Sequence, residues 1–158
     1  MDRDLQALIL QIIAQHRVLT LATVRPDGWP QATTVGYASE GTTIYFLCGA
    51  DSQKAANIAA CNKVSLTIGD DPDDVPALKA LSMAATAEFV TDPELTTKIY
   101  RMLISKYPQA KDMPMPAAGT VRYVRLTPQV ISVLDYSKGF GHTDLVDVTT
   151  GAKIASAA

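Results

Sequence analysis

Apolar residues near the N-terminus recur with the period of an α-helix. They are Leu5, Leu8, Ile9, Ile12 and Ile13, and polar residues occupy most of the positions between them. We predict an amphipathic helix over roughly the first 15 residues, with its apolar face covering one end of a barrel. The polar face carries hardly any Lys or Arg, which makes a role at a membrane surface the weaker interpretation.

Most of the remaining chain consists of short runs in which apolar and polar residues alternate, as they do in half-buried β-strands. These runs predict strands over residues 18–24, 29–38, 42–48, 63–68, 81–90, 121–126 and 130–134. The turn Arg25-Pro26-Asp27-Gly28 joins the first two strands, and Ser39-Glu40-Gly41 joins the second and third as a hairpin. Tight turns of this kind indicate antiparallel pairing.

Two further helices interrupt the strands. A short one is predicted over residues 53–60, after a break at Gly49, and a longer one begins at Asp92-Pro93 and ends at Pro108. Residues 69–76 form an acidic loop whose aspartates lack the spacing of a calcium loop, which favours a solvated turn. Residues 111–116 and the tail from Tyr136 are predicted loops, and residues 155–158 are expected to fray.

These elements predict a mainly β protein, in which a small antiparallel barrel forms a single domain over residues 1–158. Hydrophobic residues make up 47% of the chain and charged residues 19%, a composition typical of globular proteins. The net charge of -2, without a Lys/Arg cluster, makes nucleic acid and anionic membranes poor partners. No leader or membrane span is visible, so we expect a cytoplasmic location.

A few isolated residues have structural explanations. Cys48 and Cys61 lack the spacing of a redox or zinc motif and are predicted to be buried free thiols. His16 is expected to cap or pack against the end of the first helix. The aromatic residues Trp29, Tyr37 and Tyr45 are predicted to lie in the barrel core or in an interface.

The segment Ser52-Gln53-Lys54, at the start of the short helix, is the strongest candidate for a ligand-binding site. A hydroxyl, an ammonium and free backbone N–H groups come together there, and this combination suits a phosphate. The alternative is an ordinary helix cap made by Asp51 or Ser52, with Lys54 pointing into water. The residues of this segment alone leave both interpretations open.

The wider sequence around this segment resembles a known family. The similarity is to the pyridoxamine 5'-phosphate oxidase-like flavoproteins, the FMN-binding split barrels. It rests on residues 28–30, the Thr-rich strand 31–37, the strand 43–47, Ser52-x-Lys54, Asn57 and Lys63-Val64-Ser65-Leu66, and it covers roughly residues 18–90. The resemblance implies FMN as the cofactor. It also implies a six- to seven-stranded antiparallel split β-barrel with Greek-key connections, an N-terminal helix and short peripheral helices.

The resemblance further implies a set of cofactor-binding residues. Ser52 and Lys54 would hold the FMN phosphate, with Gln53 between them at a position where many relatives carry a basic residue. The flavin ring would lie along the strand that contains Ala32, Thr33, Thr34 and Val35. This strand begins with Gln31, where many relatives have Arg, and the missing positive charges predict weaker retention of FMN. Leu47 and Cys48 belong to the strand that precedes the phosphate turn.

Two further expectations concern the partner subunit and the tail. The resemblance implies a homodimer that builds each flavin site from both subunits, with residues 82–87 facing the partner's flavin. Tyr136, Lys138, Phe140 and His142 either close over the bound ring or form an ordered loop whose glycines only make turns. No Arg follows Arg125, so the sequence does not support the vitamin B6 reaction itself.

Two functions from different classes fit these features. The first is an FMN-dependent oxidoreductase that transfers a hydride between the flavin and a small organic substrate. The second is a non-catalytic module on the same barrel that binds flavin, haem or a deazaflavin, with His142 or His16 as the axial ligand of a haem. No catalytic residue can be assigned, and two distant histidines are too few for most metal sites.

Overall fold

The N-terminal helix predicted from the hydrophobic pattern is present. In the computed structural model, which describes residues 2–154, α1 spans Arg3–Gln15 and is capped by Asp2, whose carboxylate accepts from the Asp4 N–H at 2.9 Å. Its apolar face is buried as predicted. The fraying expected at residues 155–158 lies outside the described residues.

The chain then forms strands and two more helices. The strands are β1 (Val18–Val24), β2 (Pro30–Gly36), β3 (Ala38–Glu40), β4 (Thr43–Gly49), β5 (Lys63–Gly69), β6 (Lys79–Val90), β7 (Val121–Asp135), β8 (Thr143–Asp147) and β9 (Lys153–Ile154), and the helices are α2 (Gln53–Ala60) and α3 (Pro93–Ser105). Short 3₁₀ turns occur at Val75–Ala77, Pro108–Ala110 and Tyr136–Lys138.

Seven of the strands follow one curved antiparallel path, in the order β2-β1-β5-β6-β7-β4-β3, and β8 and β9 add to it beside β7. The predicted mainly β, antiparallel architecture is therefore confirmed. The predicted loop from Tyr136 onward is wrong in part, because β8 and β9 form there through pairing with β7 and with each other. Their pairing partners lie elsewhere in the chain, so the local pattern does not indicate them.

The strand predicted over residues 29–38 is in fact two strands. β2 pairs with β1 and β3 pairs with β4, so the chain changes neighbours at Tyr37. The Tyr37 side chain is fully buried, and its hydroxyl donates to the Ile13 carbonyl at 2.7 Å. Gly36 allows Tyr107 to approach the backbone closely at this change, since a Cβ there would lie 2.8 Å from the Tyr107 hydroxyl oxygen and the Tyr107 side chain would have to shift.

The two strands predicted over residues 121–126 and 130–134 are one strand of 15 residues. Thr127-Pro128-Gln129 looks like a turn in the sequence, but in the sheet it forms an irregularity opposite Ala84 and Ala85. A bulge tolerates proline because the ladder lacks a hydrogen bond at that point. β7 is thus long enough to pair with β6 along its length and with β4 and β8 at opposite ends.

The buried residues form two clusters. The larger one fills the barrel and includes the apolar face of α1, and the smaller one lies under α3 around Tyr45, Ile99 and Tyr123. Tyr37 and Tyr45 are buried, as expected for core aromatics, whereas Trp29 is 71% exposed in the single chain. Among the helices of residues 2–154, none is long and apolar enough to cross a membrane.

Candidate functional site

The N-terminus of α2 carries the segment that the sequence singled out. Ser52 caps the helix: its Oγ accepts from the Ala55 N–H at 3.2 Å, and its own N–H donates to the Gly49 carbonyl at 3.1 Å. Lys54 is half-buried, and its ammonium forms no ion pair or hydrogen bond with residues 2–154. A capped helix start with an uncommitted cation in the first turn retains the features that an anion needs.

This helix start lies beside the split in the barrel. β2 pairs only with β1 among the described strands, so its other edge is open. β4 pairs with β3 only over residues 43–45, which leaves residues 46–49 open on that side. β2 and β4 approach each other without pairing. Backbone N–H and C=O groups on open edges are free to bond a ligand.

A buried amide connects the helix to the sheet at this split. Asn57 of α2 is fully buried, and its Nδ2 donates to Thr23 Oγ1 at 2.9 Å and to Gln31 Oε1 at 3.0 Å. Its Oδ1 accepts from Gln53 Nε2 at 2.8 Å. Gln53 and Gln31 are therefore joined through one side chain. The sequence motif included Asn57, but nothing in the local pattern indicates this role.

The remaining residues of the predicted ring strand divide between the two faces of β2. Ala32 and Thr34 are exposed on the outer face, Thr33 is half-buried on the inner face and Val35 is buried. Leu47 packs against the cluster under α3, and Cys48 belongs to the barrel core. Cys48 is buried and Leu47 is half-buried, and the open backbone edge of β4 at these residues remains available to a ligand.

Arg122 is a residue near this helix that the sequence reasoning missed. It lies at the start of β7, opposite Cys48 in register, and it lines a cleft of about 590 Å³ together with Ser52, Ala56 and Phe89. No carboxylate of residues 2–154 pairs with its guanidinium, whose carbon lies 5.9 Å from the centre of the Phe89 ring. Only the pairing of β4 with β7, which the sequence does not reveal, brings this cation beside Ser52.

The tail from Tyr136 onward does not contact this site within one chain. Phe140 is 88% exposed and packs against Tyr136, with ring centres 5.2 Å apart. The tail follows the Lys79/Asp135 end of the β6–β7 pair, whereas α2 lies near the Val90/Tyr123 end. Eleven residue steps of strand separate these ends by about 36 Å. The structure therefore does not bring Phe140 and His142 to Ser52 of the same chain.

His142 and Lys138 instead contact a buried carboxylate. Asp144 Oδ2 lies 3.0 Å from Lys138 Nζ and 3.2 Å from His142 Nε2, and Lys153 contacts Oδ1. The hydrogen bond from Lys153, together with those from Lys138 and His142, outweighs burial and lowers the pKa of Asp144. The carboxylate is thus an anion that holds the tail in place.

His16 is also engaged, as the prediction of a capping or packing role expected. Its Nδ1 lies 2.7 Å from the Ile12 carbonyl oxygen, and its Nε2 lies 2.8 Å from Asp70 Oδ1. Nδ1 is therefore hydrogen-bonded, whereas Nε2 contacts Asp70 without a well-formed hydrogen bond. Within residues 2–154, no group of three or more His, Cys, Asp or Glu side chains is arranged to hold a metal ion.

The architecture defines the class of protein: a split barrel in which the short helix α2 begins beside the open strands. The sequence profile of the pyridoxamine 5'-phosphate oxidase family matches residues 5–135, and the chain belongs to this family. The search of curated proteins gave no match.

Solved structures agree with the family assignment. The conserved hypothetical protein Rv2991 from Mycobacterium tuberculosis is 28% identical, with a TM-score of 0.76 and coverage of 94% of each chain. A haem-binding protein from Mycobacterium smegmatis is 22% identical (TM-score 0.74), over 90% of this chain but only 57% of its own length. The haem-storage protein HutZ from Vibrio cholerae is 20% identical (TM-score 0.64), over 75% of this chain and 85% of its own. The predicted split barrel is thus confirmed.

Proposed function

We propose that this protein binds FMN at the split between β2 and β4 and acts as an oxidoreductase on a small organic substrate. The observation that carries the proposal is the start of α2, where Ser52 caps the helix and the Lys54 ammonium forms no ion pair within residues 2–154. The chain also belongs to the pyridoxamine 5'-phosphate oxidase family. When bound, FMN supplies a ring that accepts or donates a hydride. The free thiols Cys48 and Cys61 are consistent with the reducing cytoplasm that we propose as the location.

The residues present fit the cofactor at its phosphate end and along the ring strand. Ser52, the first N–H groups of α2 and the Lys54 ammonium provide donors and one full positive charge for a phosphate. The open edge of β2 provides backbone donors and acceptors along Ala32–Val35 for the polar rim of a flavin. Gln53 does not fit the role of a charged phosphate ligand, because it is neutral and bonded to Asn57.

We propose that the working unit is a homodimer joined through the outer face of the sheet. Cross-strand pairing places exposed small side chains in two rows: Thr34, Thr20, Thr67 and Ser82 form one, and Ala32, Ala22, Ser65 and Ala84 form the other. Both rows are uncharged and lack long flexible side chains, so a second sheet can approach closely at little entropic cost. Residues 82–87 would then lie near the partner's flavin site.

The first test is the visible absorption spectrum of freshly purified protein, followed by identification of the molecule released on denaturation. The proposal expects a flavin spectrum and released FMN, or saturable binding of added FMN by colourless protein. Lys54→Met should weaken FMN binding about tenfold, since a charge-assisted hydrogen bond is lost, while the exposed Lys111→Met should leave it unchanged. A protein that is colourless and binds no FMN contradicts the proposal.

A second measurement separates catalysis from binding. The FMN-loaded protein is mixed with a reduced nicotinamide under steady-state conditions, and oxidation of the nicotinamide is followed by absorbance. An oxidoreductase should turn over the donor many times per flavin. A non-catalytic flavin module, the alternative within the same family, should oxidise none beyond the background of free FMN.

Haem binding is a second candidate function, and the position of His142 in the tail favours it. The His142 Nε2 contact with Asp144 resembles the way a carboxylate orients a metal-bound histidine, and Nδ1 of His142 has no partner within residues 2–154. Two solved proteins of this fold are a haem-binding and a haem-storage protein. Haem binding through this residue predicts a Soret shift that His142→Ala abolishes and His16→Ala, at the engaged histidine, retains.

A further inference from the structure

A second polar cavity lies at the other end of the molecule, between the start of α1 and the β8–β9 hairpin. It encloses about 560 Å³, within the range of about 300–1,000 Å³ that is typical of small-molecule pockets. Leu5, Leu8 and Val146 provide its apolar wall. Its position at the Lys79/Asp135 end of the β6–β7 pair separates it from the α2 site, so it is independent of the proposed FMN function.

Charged groups of both signs line this cavity. Four carboxylates line it, those of Asp2, Asp4, Asp135 and Asp144, together with the ammonium groups of Lys79, Lys138 and Lys153. Asp144 is matched by Lys138 and Lys153 and leaves no acceptor oxygen unused. A purely anionic ligand would face four carboxylates, and a purely cationic one three ammonium groups, so neither is complementary to the cavity.

Lys79 and Asp135 are neighbours among the charged groups of this cavity that form no ion pair. They are directly opposed in the register of β6 and β7 and therefore project to the same side of the sheet, yet no ion pair forms between them. The Asp135 side chain is only 4% exposed. Its Oδ1 accepts from the Ser137 N–H at 3.2 Å and the Ser137 hydroxyl at 2.6 Å, whereas Oδ2 has no donor within residues 2–154.

A carboxylate oxygen without a donor at the wall of a cavity is accessible to a ligand that brings one. Burial acts to raise the pKa of Asp135, but the hydrogen bonds from Ser137 and the nearby charge of Lys79 hold that pKa below its ordinary value. Asp135 is therefore a negatively charged acceptor at neutral pH. Beside it, Lys79 provides a cationic donor that no carboxylate of residues 2–154 satisfies.

We propose that this cavity binds a small zwitterion of the amino-acid class. The ligand's ammonium donates to Asp135 Oδ2, and its carboxylate accepts from Lys79, with Leu5 and Val146 beside its apolar part. In an α-amino acid the ammonium and the carboxylate are bonded to the same carbon atom, and the cross-strand pair likewise presents its two opposite charges side by side. The site is a binding site, and the proposal assigns it no chemical step.

Isothermal titration calorimetry with L-alanine tests the proposal, with acetate and ethylamine as probes that carry one charge each. The intact protein should bind L-alanine and give no saturable heat with either single-charge probe at the same concentration. Asp135→Asn keeps the Oδ1 acceptor for Ser137 and removes the charge, and it should weaken L-alanine binding at least tenfold. Lys79→Met, at an exposed position on β6, should do the same, because the ligand carboxylate loses its cationic donor.

Matched controls at exposed residues of the loop after α3 are Asp112→Asn and Lys111→Met, both of which should bind L-alanine as the unaltered protein does. Circular dichroism confirms that each variant is folded. The proposal is overturned if L-alanine gives no heat up to about 10 mM, if acetate alone binds as well, or if both Asp135→Asn and Lys79→Met bind L-alanine with unchanged affinity.

Discussion

Asn57 donates a hydrogen bond to Gln31 at 3.0 Å and thereby attaches α2 to the open strand β2. The same side chain bonds Thr23 on β1 and Gln53 on the first turn of α2. Both the orientation of the helix and its distance from the barrel split therefore depend on one buried amide. In the proposed site this amide positions the helix start that meets the phosphate.

Replacing this amide should cost stability. Asn57→Ala removes three hydrogen bonds and leaves the Thr23 hydroxyl buried without its partner, so we expect a loss of about 2–3 kcal/mol in the free energy of unfolding. Urea denaturation followed by circular dichroism measures it. The control is Asn62→Ala, an exposed asparagine just beyond α2, which should change the stability by less than about 0.5 kcal/mol. Equal stabilities of the two variants would show that the amide is not a structural link.

The neutral residue Gln53, beside Lys54, should limit how much the phosphate contributes to the affinity for FMN. In Gln53→Arg a guanidinium replaces the amide at the start of α2, so we expect FMN to bind about tenfold more tightly while riboflavin, which lacks the phosphate, is unaffected. Quenching of flavin fluorescence gives both affinities. Gln11→Arg on the exposed face of α1 adds the same charge elsewhere and should alter neither. If the affinities for FMN and for riboflavin increase equally in Gln53→Arg, the phosphate does not lie at this helix.

Much of the fold follows from local patterns, because helices and tight turns are set by residues near one another in sequence. The apolar stripe of α1, the caps at Ser52 and Asp92 and the turn after Arg25 are of this kind. The continuity of β7 through Pro128 and the existence of β8 depend on pairing with distant strands. For the same reason the Ser52 cap was predictable, but Arg122 beside it and the Asn57 contacts on β1 and β2 were not.

The end of α1 depends on a buried phenol. The Tyr37 hydroxyl donates to the Ile13 carbonyl at 2.7 Å, and a helix C-terminus leaves such carbonyls without partners in the helix itself. Tyr37→Phe should therefore lower the free energy of unfolding by about 1–2 kcal/mol. Tyr123→Phe is the contrasting variant, because that hydroxyl is buried without a partner within residues 2–154. Its removal should leave the stability unchanged or slightly increased, and a loss equal to that of Tyr37→Phe would contradict the argument.

The same phenol predicts a dependence on alkaline pH. Burial, with a smaller contribution from Tyr107, raises the pKa of Tyr37 above its ordinary value of 10.0. A raised pKa in the folded state means that the native protein retains a proton that the unfolded chain loses, so the associated stability is complete below pH 10.0 and falls above it. The stability difference between the unaltered protein and Tyr37→Phe should be constant from pH 7 to 9 and shrink above that range, as measured by urea denaturation at each pH.

Ala84 lies at the β6 end of one of the small-residue rows, opposite Ser65 on β5 and Val130 on β7. If two sheets pack through this face, Ala84→Arg places a long charged side chain from each subunit into a space that fits a methyl group. Because an unpaired buried charge costs several kcal/mol, the dimer should dissociate.

Light scattering coupled to gel filtration measures the mass. The unaltered protein should have the mass of two chains, and so should Ala117→Arg, a control at an exposed loop position. Ala84→Arg should have the mass of one chain. FMN affinity should fall with dissociation if the partner completes the site. An unaltered protein with the mass of one chain would instead mean that each barrel works alone and that this face has another occupant.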